Sequence, residues 1–408
     1  MKMDLYSDVR SKMAVMLLLL ACVFSLAHLH DAQHTPNTTI QDLAFRNMDF
    51  AMNLYRRISS YHDKNVFFSP LSVSTSFAAL SAGAGGKTRR EILAGLNLHL
   101  EQPDLMPELF RQLQENITRN GSLGMDQDMA MFLKESFSVE QSFQQHMKTF
   151  FAAEVMSLNF SDSQESVRLI NHFIQQKTDG RVKEMLSEVD PLTQLMLVST
   201  IFFQGRWQKP FNPKFTEKKQ FHIDSYNIVD VPMMLLEDKF YNMEDNVLGA
   251  RVLKLPYQEG VSMLVLLPNK GVDYTVIDDE INAQRFLGWI QKLEKFKLEV
   301  QMPKFVLEQS YLLHDLLPEL GISSVFSDAA NLTKIYKDGG VKVSEVLHKA
   351  MIEVDESGTT AAAATTVGVT LFSLPMIFSV NRPFFFFIYH EDTNSLLFMG
   401  RVIDPTKK

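Results

Sequence analysis

Residues 356–375 read ESGTTAAAATTVGVTLFSLP, and between residues 357 and 380 the chain carries no charged side chain. Three ordinary readings compete for such a stretch: an Ala-rich helix, a membrane span and a disordered linker. Threonine pairs on both flanks and a run of β-branched residues oppose the helix. Several threonines, two glycines and Pro375 oppose the span. A linker would carry charge or more Pro, Ser and Gly. As a strand, the run places Thr359, Ala361, Ala363, Thr365 and Val367 on one face and Thr360, Ala362, Ala364 and Thr366 on the other. Such a segment can enter the middle of a sheet without burying a charge. Left exposed, it is an edge-pairing hazard.

The rest of the chain must supply that sheet. Its 408 residues are 46% hydrophobic and 22% charged, the makeup of a globular protein with a large core. A net charge of -8 opposes general nucleic-acid binding, which needs a basic footprint. Arg10 and Lys12 precede the apolar run MAVMLLLLACVFSLA, and Ser25 and Ala27 supply small residues for cleavage, so residues 1–27 read as a signal peptide and the product as secreted. The alternative is a signal anchor, but the run is short for a span. Cys22, the only cysteine, lies inside it, which leaves residues 28–408 without disulfide, thiol or Cys-zinc chemistry. Five sequons, at Asn37, Asn116, Asn120, Asn159 and Asn331, agree with export and mark candidate glycosylation sites.

No repeat or Pro/Gly-rich seam divides residues 28–408, which read as a single domain. Helical periodicity marks DLAFRNMDFAMNLYRRISS, SVSTSFAALSAGA, TRREILAGLNL, DLMPELFRQLQENIT and SQESVRLINHFIQQKT, with Asp42, Ser72 and Thr88 as capping candidates. Strand-like runs then take over: LMLVSTIFFQGRW, ARVLKLPYQ, VSMLVLLPN, LEVQMPKFVLE, KAMIEVDE and the hairpin FFFFIYHEDTNSLLFMGRVI with its turn at Asp392 to Asn394. Helices first and strands later predict an α+β fold with large antiparallel sheets.

Signatures of catalysis are missing: there is no G-x-S-x-G elbow, P-loop, G-x-G-x-x-G after a strand or H-E-x-x-H. The sequence therefore predicts neither an enzyme nor a metal site nor a small-molecule cofactor. His348 and His390 flank apolar strands, where a hydrogen-bonding role outweighs a ligand role. VIDDEINAQ reads as a solvated helix start. Lys87, Arg89 and Arg90 stand together in GGKTRREI, which offers either a solvated helix face or a landing place for heparin-like polysaccharide.

The segments NVFFSPLSVSTSFAALSAGAGGKTRREIL, LINHFIQQKTDGRVKEML, STIFFQGRWQKPFNPKFT, VLHKAMIEVDESGTTAAAA and NRPFFFFIY followed by LLFMGRVIDP resemble the serpins in order and spacing, over essentially all of residues 28–408. The resemblance implies the serpin fold, with three β-sheets, about nine helices and an exposed reactive-centre loop over about residues 356–380. It also implies a monomeric inhibitor that traps a serine protease as a suicide substrate. Carried over position by position, the hinge is Gly358, Thr359, Thr360, Ala361, Ala362, Ala363 and Ala364. Fourteen residues on from Gly358 stands Phe372, so the reactive bond is Phe372-Ser373. Trp207 matches the tryptophan beneath the point where the loop enters the sheet, and Lys304 and Glu356 match an ion pair holding that entrance. Ser69, Ser72 and His348 match the polar cluster under the separating strands, where Ser199 replaces the usual asparagine.

Within the family, FTEKKQFHIDSY, MPKFVLEQSYLLHDLL and the aromatic-Ser reactive bond resemble a plasma subgroup that inhibits coagulation factor Xa with protein Z as a cofactor protein, and factor XIa without it. Contact with a membrane would then come only through the cofactor protein. Tyr226 matches a tyrosine of the cofactor-binding surface, whereas Gln284 replaces an aspartate. Phe372 by itself points to chymotrypsin-like proteases. A non-inhibitory carrier or chaperone is the remaining class, and bulky or charged hinge residues, absent here, would have favoured it.

Overall fold

The computed structural model describes residues 39–60, 63–98, 103–119, 124–357 and 376–408. The nine α-helices among them are α1 (Ile40–Ser60), α2 (Pro70–Gly83), α3 (Gly86–Gly95), α4 (Met106–Thr118), α5 (Gln141–Phe151), α6 (Ser163–Lys177), α7 (Tyr274–Glu280), α8 (Ala283–Lys292) and α9 (Leu313–Leu316). The strands are β1 (Val66–Phe68), β2 (Met125–Lys134), β3 (Glu154–Leu158), β4 (Leu195–Phe203), β5 (Glu217–His222), β6 (Ile228–Asp245) and β7 (Ala250–Pro256). They continue as β8 (Val261–Pro268), β9 (Glu294–Pro303), β10 (Phe305–Leu312), β11 (Glu345–Val354), β12 (Met376–Ser379), β13 (Phe384–His390) and β14 (Ser395–Val402).

Hydrogen bonding joins these strands into two networks. One runs β1-β14-β13-β8-β7-β6-β9-β12, with β5 paired to β6. Its 18-residue strand β6 is long enough to serve two layers: residues 241–245 pair with β7, and residues 233–242 pair with β9. The other is the five-stranded sheet β10-β11-β4-β2-β3.

The apolar pattern explains the layering. Phe384 through Ile388 of β13 are fully buried between β8 and β14, and their rings meet Phe67, Phe305, Phe286 and Trp289. Helix α2 is buried nearly all round, so its small residues are what let other elements close on it. The hydroxyls of Thr75 and Ser76 turn back onto the carbonyls of Leu71 (2.8 Å) and Ser72 (2.9 Å) and so lie buried with a partner, whereas those of Ser72 and Ser74 are buried without one. Both faces of the five-stranded sheet are covered. Met131, Leu197 and Val346 face the main core, while Phe132, Val198 and Leu347 alternate to the other side and meet Ile170 and Ile174 of α6. This accounts for the unbroken burial of β4.

Two local expectations change. Helix α2 is capped by Ser69, whose side chain accepts from the Ser72 amide, with Pro70 opening the helix, and α3 begins after Gly85. Ser72 and Thr88 are therefore interior and buried. The acidic string at residues 276–284 is not a solvated helix start: it closes α7 and opens α8, and Asp278 is buried. The Asp278 carboxylate is tolerated inside because the Arg401 guanidinium and the Tyr55 hydroxyl both donate to it.

Candidate functional site

The site lies where β11 leaves the five-stranded sheet. Strands β4 and β11 run parallel, in register from Glu345 opposite Met196 to Ile352 opposite Phe203. Each has an antiparallel neighbour on its other side, β2 and β10 respectively. A segment that follows β11 and reverses direction would, between these two strands, run antiparallel to both. It would exchange one parallel ladder for two antiparallel ones, and the antiparallel pairing is the more stable per residue.

Past Val354 the chain is fastened to residues 207–216. The Trp207 indole N–H donates to the Asp355 carbonyl (2.8 Å), and the Phe211 amide donates to the Glu356 carbonyl (2.8 Å). Glu356 accepts from Lys304 (2.6 Å) on one carboxylate oxygen and from the Thr216 hydroxyl (2.8 Å) on the other. Burial acts to raise its pKa, but the hydrogen bonds from Lys304 and Thr216 outweigh that and hold the carboxyl below its ordinary range. Lys304 is placed by its position between β9 and β10, where its amide donates to the Pro232 carbonyl (2.9 Å). Trp207 is itself clamped, stacked on Tyr257 with ring centroids 4.1 Å apart.

Under the middle of the seam, Ser199 and His348 are direct partners across β4 and β11. His348 Nε2 accepts from the Ser69 amide (3.1 Å), which leaves Nδ1 to donate to Ser199 Oγ (2.9 Å). Complete burial pushes the His348 pKa down to about 3, so the ring is neutral at physiological pH. Ser69 Oγ donates to the Leu397 carbonyl (2.7 Å) while capping α2, and Ser72 Oγ is buried with no partner. The serine at position 199 thus keeps a direct contact with the histidine.

The remaining sequence candidates are dispersed. Lys87 and Arg89 of α3 pair with Glu91 (3.3 Å) and Asp104 (3.0 Å), while Arg90 is exposed. Tyr226 is 95% exposed in the β5–β6 turn, which Asp224 ties through the Tyr226 amide (2.7 Å). Gln284 lies exposed in the first turn of α8. Asn159 and Asn331 are exposed, and Asn116 is half-buried in α4. The reactive bond Phe372-Ser373, the hinge Gly358, Thr359, Thr360, Ala361, Ala362, Ala363 and Ala364, the sequons Asn37 and Asn120, and the leader lie outside the described residues. Among the described residues no group of three His, Cys, Asp or Glu could hold a metal ion, and no helix is long and apolar enough to cross a membrane.

Sequence reasoning missed Thr216, Phe211 and Asp355 as anchors of the loop's start, and Tyr257 as the clamp on Trp207. Three of these contacts use backbone groups or a stacked ring, which leave no compositional signal. Thr216 had one faint signal, a lone hydroxyl after the rigid KPFNPKF run.

Comparison with known proteins agrees with this geometry. The serpin (serine protease inhibitor) family model matches residues 45–405. The human protein Z-dependent protease inhibitor is 39% identical over 370 residues, covering 90% of this chain and 83% of that protein. The crystal structure of the mouse protein Z-dependent protease inhibitor superposes with a TM-score of 0.85 at 38% identity, over 90% of this chain and 98% of that one. Human thyroxine-binding globulin, solved with its hormone, gives 0.84 at 31% identity, over 90% and 100% of the two chains. The chain belongs to the serpin family.

Proposed function

We propose that this chain is a secreted inhibitor of serine proteases that works by inserting its own cut loop into the five-stranded sheet. The observation that carries this reading is the parallel β4–β11 seam, from whose edge an uncharged segment continues directly. That segment is tethered at both ends, to Ser357 after β11 and to Met376, which opens β12 in the other network. While the tether is whole, deep insertion would drag β12 from its pairing with β9. A cut removes that restraint.

The protease serine oxygen attacks the Phe372 carbonyl, the Phe372-Ser373 bond breaks, and the Ser373 amine leaves with its proton. Phe372 remains as an ester on the protease. Insertion of the hinge then replaces a ladder of eight register pairs with two of similar length. The net gain is about eight hydrogen bonds at roughly 0.5–1.5 kcal/mol each, on the order of ten kcal/mol in all. That is comparable with the whole stability of a protease domain and suffices to distort its active site. It also explains the uncharged hinge, since each unpaired charge buried on insertion would cost several kcal/mol.

Protein Z is the partner, which the name of the 39% identical human relative supports, and the target proteases are those of the factor Xa and factor XIa type, which the sequence resemblance alone suggests. Phe372 also fits the hydrophobic primary pocket of chymotrypsin-like enzymes. Inhibition needs no small-molecule cofactor. A heparin-like polysaccharide at Lys87, Arg89 and Arg90 would have to compete with Glu91 and Asp104. The likeness to human thyroxine-binding globulin supports a second reading, a carrier of small molecules on the same fold. The small hinge residues weigh against it.

Incubation with factor Xa and with chymotrypsin separates the two. An inhibitor gives a covalent band that survives SDS, and Thr359→Arg abolishes the band while cutting at Phe372 continues. Cutting of the parent without such a band assigns the chain to the carrier class.

A further inference from the structure

Strand β12 is the far anchor of the uncharged segment, and its loop end is weakly held. It pairs with β9 alone, in a parallel ladder from Met376 opposite Leu298 to Ser379 opposite Gln301, and it is the last strand of its network. Parallel pairing is the weaker kind per residue. Met376 and Ile377 are 57% and 54% exposed, so burial of their side chains adds little. The further bonds gather at the end remote from the loop. Ser379 Oγ donates to Gln301 Oε1 (2.9 Å), the Val380 amide donates to the Gln301 carbonyl (2.8 Å), and the Asn381 carbonyl accepts from the His222 amide (2.9 Å).

At the loop end the grip comes from Arg251 of β7. Its guanidinium donates to the Ile377 carbonyl (3.1 Å) and lies over the ring of Phe378, 4.6 Å from the centroid. Phe378 is fully buried beneath it. Register sets Arg251 opposite Glu244 of β6 and Leu267 of β8, yet among the described residues no carboxylate forms an ion pair with it. Burial pushes the Arg251 pKa down, the mark of a partly desolvated charge. That charge is answered by a carbonyl dipole and an aromatic face, and both belong to β12.

An uncut loop can enter the five-stranded sheet deeply only by peeling β12 from this end. Met376 comes away first, and the Ile377 carbonyl and the Phe378 ring, both held by Arg251, follow. We propose that Arg251 is a positioning residue that keeps β12 in place and so sets how long the uncut protein holds its loop outside the sheet. The consequence rests on the insertion reading above, whereas the clamp itself rests on the geometry of β7 and β12. After a cut at Phe372, β12 no longer restrains the hinge, so the clamp governs the intact molecule.

The test uses the intact protein without protease. Arg251→Met keeps an unbranched stem over Phe378 but removes the donor and the charge, and Arg251→Lys keeps the charge. In hydrogen exchange followed by mass spectrometry, residues 376–380 of Arg251→Met should exchange about tenfold faster than in the parent, with β8 and β13 unchanged and Arg251→Lys in between. During warming below the melting temperature, uncut chains that have become resistant to urea should accumulate about tenfold faster in Arg251→Met, read on a urea-gradient gel. Equal exchange over residues 376–380, faster exchange throughout the network, or accumulation at the parent's rate overturns the proposal. Cutting of the fresh parent by factor Xa without an SDS-stable band would instead overturn the inhibitory reading, and the exchange result would still decide the clamp.

Discussion

Strand β13 is fully buried and the β4–β11 seam nearly so, with only Glu345 and Met351 half-buried along it, yet the two are built on opposite principles. β13 is antiparallel to both neighbours and lined by a continuous block of phenylalanines. The seam is the single parallel junction between two antiparallel pairs, and a serine, a histidine and an unpartnered serine hydroxyl lie beneath it. Where apolar packing is dense, separation exposes large areas to water at about 25 cal/mol per Å². Where a few directional bonds hold the strands, a new strand can supply equivalent bonds on both sides. On the proposed mechanism, one region stays closed and the other opens once.

The contrast can be broken at its strong end first. Phe386→Ala should cost about 3–5 kcal/mol in both the intact and the loop-cut protein, because the ring has the same buried neighbours in each. Urea unfolding of the two forms checks this, and a loss confined to one form would show that β13 takes part in the rearrangement.

His348 should behave differently. Its pKa lies near 3 in the fold and near 6.5 in the unfolded chain, so the unfolded state binds more protons between those values. Its contribution is therefore complete above about pH 6.5 and falls as pH drops, by roughly 1.4 kcal/mol per pH unit within that window. His348→Gln should flatten the slope relative to the parent, read by denaturant unfolding from pH 7 to pH 4. Comparing parent and variant cancels His146 and His390, whose pKa values burial also lowers.

The smallest expected effect is at the edge of the seam. Glu356→Gln keeps the shape but removes the charge that Lys304 holds, and a part-exposed pair of this kind is worth about 1 kcal/mol or less. The variant should melt slightly lower while intact and no lower after cutting, a difference scanning calorimetry resolves. Equal losses in both forms would mean that the ion pair survives insertion and does not guard the seam.

How much of this was legible in the chain depended on whether a signal was periodic. The five helices read from apolar spacing are present, β4, β7, β8 and the β13–β14 hairpin lie within the runs read as strands, and β11 overlaps its run but begins four residues before it, at Glu345 rather than Lys349. The LEVQMPKFVLE run proved to be two strands, β9 and β10, broken at Lys304. Strand β6 escaped notice because its 18 residues serve two neighbours and change exposure along their length, so no single alternation survives. β2 was missed because its first half carries Asp126 and Asp128 and only its second half is apolar. At the site, Trp207, Lys304, Glu356, Ser69 and His348 came from a resemblance, and the structure brings the first three to one end of the seam and the last two under its middle. Apart from the Lys304–Glu356 pair, most of their partners are backbone carbonyls that accept and backbone amides that donate, which every sequence contains, and so the fastening of Asp355 and Glu356 to residues 207–211 appeared only in three dimensions.

The account rests on the seam parting after the loop is cut. Ile201 and Ala350 face each other across it, and residues 28–408 contain no other cysteine, so Ile201→Cys/Ala350→Cys can lock the two strands with a disulfide. The oxidised variant should be cleaved at Phe372 without forming an SDS-stable complex, and reduction should restore the complex. If the oxidised protein, with its disulfide verified, traps protease as well as the reduced one, the sheet does not open there and the account is wrong.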